Sequence, residues 1–127
     1  MSNTKKLRPA TAADLLSKPA RSKRIPLQVG DGEVEMELTA IGADAYDELL
    51  GEHPPTKEQE KDGSVYNADT FAPCLIAAVV SEPALSVEDA TAIWKGSTWS
   101  RGELRDLFVA CVELCQQGLD VPFTPAG

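Results

Sequence analysis

The stretch Ile25-Pro-Leu-Gln-Val29, Gly30-Asp-Gly32, Glu33-Val-Glu-Met-Glu-Leu-Thr39 decides the fold. Val34, Met36 and Leu38 alternate with Glu33, Glu35 and Glu37. A period of two places the apolar side chains on one face of a strand and the carboxylates in water. A glycine-rich turn joins this run to the apolar run before it, so the pair predicts a β-hairpin. Pro26 lacks a backbone N–H and marks the first strand as an edge or limits its pairing there. Two strands are marginal by themselves, so their apolar face must pack on helices.

The chain after the hairpin supplies them. Tyr46, Leu49 and Leu50 share a face in a predicted helix over 43–52, ended by Gly51 and Pro54-Pro55. Residues 53–68 form a long polar connection with one expected helical turn from Thr56-Lys-Glu-Gln59. Connections of this length inside a small domain are usually functional or mobile. Asp69 is the expected cap of a helix running to about Ser81, with Pro73 in its first turn. Ser86-Val-Glu-Asp89 opens a helix to Lys95, ended by Gly96. Ser100-Arg-Gly-Glu103 opens the longest helix, to about Gln117, with Gly118 as its expected left-handed cap. Leu104, Leu107, Phe108, Cys111, Val112 and Cys115 form the apolar stripe of that helix.

Before the hairpin, Thr11-Ala-Ala-Asp14 has capping-box form and predicts a short helix to Ser17. The expected fold class is α+β and mainly α: an N-terminal β-hairpin followed by a bundle of about four helices. Residues 1–24 are expected to form a flexible basic arm, 25–118 the folded domain and 119–127 an irregular tail. The 127 residues fit one domain. Hydrophobic residues make up 43% and aromatics 6%, so a core built mainly of aliphatic side chains is expected.

The charge is unevenly placed. Residues 1–24 hold seven basic residues and Asp14, a net +6, and the rest holds five basic and nineteen acidic residues, a net −14. An acidic body is repelled by phosphate backbones, so no nucleic acid is expected on it. The acids are spread along the chain, which disfavours an acidic mimic of nucleic acid. The arm reads as a solvated leader able to fold back on the body. The odd set of cysteines, Cys74, Cys111 and Cys115, argues against a disulfide scaffold. The N-terminus has no apolar leader and no run is long enough to span a bilayer, so a cytoplasmic protein with no membrane association is expected.

Groups for chemistry are few. His53 is the single histidine, at a helix end, with no nucleophile motif near it. Cys111 and Cys115 share a helix face, and with Cys74 and His53 they could complete a tetrahedral metal set. The C-x₂-C spacing is absent and both lie on the apolar stripe, so core packing outweighs a metal. Glu33, Glu35 and Glu37 read as a solvated face. No phosphate loop or dinucleotide fingerprint occurs. Trp94 and Trp99 flank Lys95-Gly-Ser-Thr98, a position suited to a core lid or a binding anchor. No enzyme, cofactor or metal is expected.

Three runs in order carry a resemblance: Tyr46-Asp-Glu-Leu-Leu-Gly-Glu-His-Pro-Pro-Thr56, Tyr66-Asn-Ala-Asp-Thr-Phe-Ala-Pro73, and Leu75-Ile-Ala-Ala-Val-Val-Ser-Glu-Pro83. Together with Leu85-Ser-Val-Glu88 and the helix around Glu103–Leu114, they resemble the tail assembly chaperones of long-tailed phages and prophages of actinobacteria, over about residues 25–118. The resemblance implies a protein that binds the tape-measure protein, keeps it soluble and assists tail-tube polymerisation around it. It implies the host cytoplasm as location and absence from the mature virion. The tail-tube protein is a further partner, and self-association is compatible with it. The alternative is a structural component of a tail or injection machine that stays in the particle. His53, Pro54, Pro55, Tyr66, Phe71, Trp94 and Trp99 are the expected partner-binding residues.

Overall fold

The computed structural model describes residues 7–119. The elements in chain order are α1 (Ala12–Leu16), β1 (Ser22–Val29), β2 (Gly32–Thr39), α2 (Ala43–Gly51), α3 (Lys57–Lys61), α4 (Ala68–Val79), β3 (Val80–Glu82), α5 (Val87–Lys95) and α6 (Arg101–Gln116). The described chain is a mixed α and β structure, with a three-stranded antiparallel sheet in the order β1-β2-β3.

The hairpin forms in the register its alternation requires, with Ile25 opposite Met36 and Leu27 opposite Val34. Gly30 takes φ +59° in the two-residue turn, a backbone conformation that costs glycine nothing. β1 starts at Ser22, three residues earlier than the sequence suggests, so Ser22–Arg24 belong to the sheet. Arg24 holds them there by charge: its guanidinium lies 3.2 Å from Glu35, 3.6 Å from Glu37 and 3.9 Å from Glu82. The Ala40 N–H donates to the Arg21 carbonyl at 2.8 Å. Antiparallel pairs alternate along a ladder. Arg21 therefore sets the odd residues of β1 toward β2 and turns the nitrogen of Pro26 to the open edge. The proline removes no ladder bond and deprives a would-be extra strand of a donor.

Five expectations are corrected. The helix read as reaching Ser81 stops at Val79, and Val80–Glu82 becomes β3 against β2, with Leu38 opposite Val80 and Glu37 opposite Glu82 across a bulge. Three residues carry no period, and only the neighbouring strand makes this one. The cap of α4 is Asn67, whose side chain accepts from the Asp69 N–H, and Asp69 is a first-turn acid. Pro73 is consequently the sixth residue of α4, two residues deeper than expected, where its missing N–H leaves the Asp69 carbonyl without a helical partner. Gly118 is not left-handed, because Gln117 leaves α6 in an extended conformation and the Gly118 carbonyl accepts from Arg21 Nη2 at 3.1 Å. Val34 is 51% exposed although it shares a face with Met36 and Leu38. The helices cover only the part of the hairpin away from the turn. The C-terminal tail from residue 120 lies outside the described residues.

All four capping boxes form: Thr11 with Asp14, Thr56 with Gln59, Ser86 with Asp89 and Ser100 with Glu103. α4 is the central helix, packing on α2, α5, α6 and β3, while α6 also meets β2. Leu38, Phe71, Leu75, Ile76, Val79 and Cys111 are fully buried between these elements. Gly96 closes α5 for a steric reason. A Cβ there would lie 2.5 Å from the Ala92 carbonyl oxygen. Gly96→Ala must open the end of α5 and is expected to destabilise the domain by about 1–3 kcal/mol, read from urea denaturation.

Candidate functional site

The residues expected at a partner surface separate into two groups on two sides of α6. The first group surrounds Phe71. Its ring meets Tyr46 edge-on at 6.0 Å between centroids, Tyr66 at 5.0 Å and Phe108 at 6.0 Å, with His53 tilted at 6.0 Å. Trp94 extends the cluster through Phe108 at 6.1 Å. Edge-to-face packing sets the positive rim of one ring against the negative face of the next. Five of the seven aromatic residues are thus in one cluster. Phe71 has 0% exposure, so it is corrected from a contact residue to the centre of the core. A residue without accessible surface cannot touch a partner.

Around that centre the 53–67 connection is pinned. The His53 ring Nδ1 lies 2.8 Å from Thr70 Oγ1, and the His53 carbonyl accepts from the Asn67 N–H at 2.8 Å. Gln59 Nε2 donates to the Asn67 side chain at 3.1 Å. These bonds tie a long polar segment to the start of α4. Pro54 is exposed, while His53, Pro55, Tyr66 and Trp94 are half-buried. The Arg101 guanidinium lies 5.8 Å from the Trp94 ring centre, within cation–π range.

The second group centres on Trp99. Its half-buried ring sits in an apolar cleft between the hairpin and the α5–α6 pair. One arm of the cleft, about 210 Å³, is lined by Leu27, Val34, Met36, Leu85, Ile93 and Trp99 among others. The other, about 190 Å³, runs past Ile25, Leu27, Met36, Trp99, Leu107 and Ala110. Glu35, Glu103 and Asp106 stand on the rim. The two arms share Leu27, Met36, Trp99 and Leu107. Only Trp99 was singled out from sequence. Leu27 and Met36 carry the period of a core face, and no local signal separates a residue beneath a helix from one beside an open cleft.

Among the described residues, no group of three or more His, Cys, Asp or Glu side chains is placed to hold a metal ion. Cys111 is buried, and burial, then neighbouring Cys115, pushes its thiol up to about 12. Burial also raises the Cys74 thiol, aided by Glu52. A group whose pKa rises on folding contributes stability that is intact below its ordinary value and is lost as pH rises. For Cys111 that window runs upward from about 9 toward 12. At pH 8, alkylation is expected to modify Cys115 and Cys74 while Cys111 reacts only on unfolding, as peptide mass mapping will read.

No helix among the described residues is long and apolar enough to cross a membrane. Comparison with protein-family models, characterised proteins and solved structures finds no match to this chain.

Proposed function

We propose that this chain is a non-catalytic assembly chaperone of phage tails, which binds an apolar segment of the tape-measure protein while the tail-tube protein polymerises around it. The observation that supports this reading is the open apolar cleft around Trp99 in a body of strong net negative charge. Such a cleft removes apolar client surface from water, and the like charge of the bodies keeps the complexes apart. The ordered segments from Tyr46 to Pro83 and the helix around Glu103–Leu114, which resemble the tail assembly chaperones, name the client class. The proposed contact residues are Trp99 with Leu27 and Met36, flanked by the exposed parts of His53, Pro54, Pro55, Tyr66 and Trp94. The proposed location is the cytoplasm of the bacterial host, outside the finished particle.

The test is co-expression of the full chain with a candidate tape-measure protein, followed by affinity capture. Trp99→Ala is expected to reduce capture about tenfold or more, as truncation of a central aromatic anchor does, with an unchanged far-ultraviolet circular dichroism spectrum. Capture equal to that of the unaltered chain would sink the cleft as the client site. Mass spectrometry of purified particles tests the role, because a chaperone is expected to be missing and a structural component present.

A further inference from the structure

We propose that the N-terminal arm of one copy docks in the Trp99 cleft of a second copy, so that the free protein is an arm-exchanged dimer. α1 buries none of its residues. Leu7, Leu15 and Leu16 are 89%, 71% and 87% exposed. A helix of five residues is far below the length that holds in water without tertiary contacts. Its capping box and the Arg8–Asp14 ion pair at 2.6 Å order it locally but cover none of its leucines. An apolar segment with nothing on it and an apolar cleft with nothing in it occur in one chain.

Charge selects the same pairing. Residues 1–18 carry Lys5, Lys6, Arg8 and Lys18 against Asp14 alone. The cleft is rimmed by Glu35, Glu103 and Asp106. A basic segment with leucines fits an acidic rim around an apolar floor.

Reach favours a second copy over the arm's own body. Arg21 is a fixed point, held through its carbonyl to Ala40 and its guanidinium to the Gly118 carbonyl. Leu16 is five residues before it, about 17 Å of fully extended chain. Ile25, the nearest lining residue of the cleft, is four residues after it along β1, about 13 Å of strand. The arm leaves in the opposite direction: Lys18, Pro19 and Ala20 lie beside Leu114 and Gly118 at the end of α6, whereas the cleft opens beside Glu103, Asp106 and Ala110, so the arm must double back to meet its own cleft. A neighbouring copy removes that constraint, and reciprocal exchange fills two clefts with two arms about a two-fold axis.

Sedimentation of the full chain from about 1 μM to about 1 mM, with no client present, tests the dimer apart from the chaperone role. The mass is expected to rise with concentration from the monomer's 13.6 kDa to twice that. Added salt is expected to favour the monomer. The double variant Leu15→Ser, Leu16→Ser is expected to weaken association at least about 100-fold. It should keep the circular dichroism of the parent, because both leucines are exposed in the single chain. A monomer at every concentration would overturn the proposal. So would a double variant that dimerises like the parent, which would place the interface elsewhere. Exchange protection of residues 12–16 in a monomer would mean docking on the arm's own body and would also overturn it.

Discussion

Phe71→Ala is expected to destabilise the domain by about 3–5 kcal/mol, the cost of deleting a fully buried aromatic ring. That is a large part of the stability of an ordinary domain. Phe71, on α4, has no exposed surface and touches Tyr46, Tyr66, Phe108 and His53, which come from two other helices and one connection. Removing the ring leaves a cavity bounded by other rings, which are stiff and close in poorly. Phe71→Leu is expected to cost less than half as much, because it keeps most of the volume. Urea denaturation of both variants measures the difference. A midpoint for Phe71→Ala close to that of the parent would mean that the cluster does not hold α2, α4 and α6 together.

Leu38→Ala and Val34→Ala should differ sharply although both residues lie on the same face of β2. Leu38 has 0% exposure, and Leu38→Ala is expected to cost about 2–5 kcal/mol. Val34 is 51% exposed at the hairpin's free end, and Val34→Ala is expected to stay within about 0.5 kcal/mol. Equal losses in denaturation would show that the helices cover the full length of the hairpin. The gradient also bears on client binding. The exposed half of the face floors the cleft, so Val34→Ala is expected to affect association more than stability.

Particular residues show how far the sequence could be read. The four capping boxes were legible because each is closed by hydrogen bonds between residues three apart, and nothing distant can supply or remove them. The hairpin was legible because a period of two and a glycine turn are also local. Pro26 was legible as an edge residue for the same reason, since proline has no donor wherever it stands. β3 was not, because three residues become a strand only when Leu38 is already there to pair with. Phe71, on a predicted helix, and Trp99, in a predicted helix–helix joint, both read from sequence as possible partner anchors. Phe71 points between α2, α4 and α6, whereas Trp99 lies where the hairpin and α6 diverge.

The chain's own residues determined where helices begin, where the hairpin turns, which strand residues face inward, and that a basic arm precedes an acidic body. Each of these rests on bonding, periodicity or charge within a few residues of chain. Tertiary structure alone decided which inward-facing residues are covered, how five aromatics join in one cluster centred on Phe71, and that a cleft with an acidic rim opens beside Trp99. Burial is a property of two surfaces brought together, and one of those surfaces is always remote in sequence.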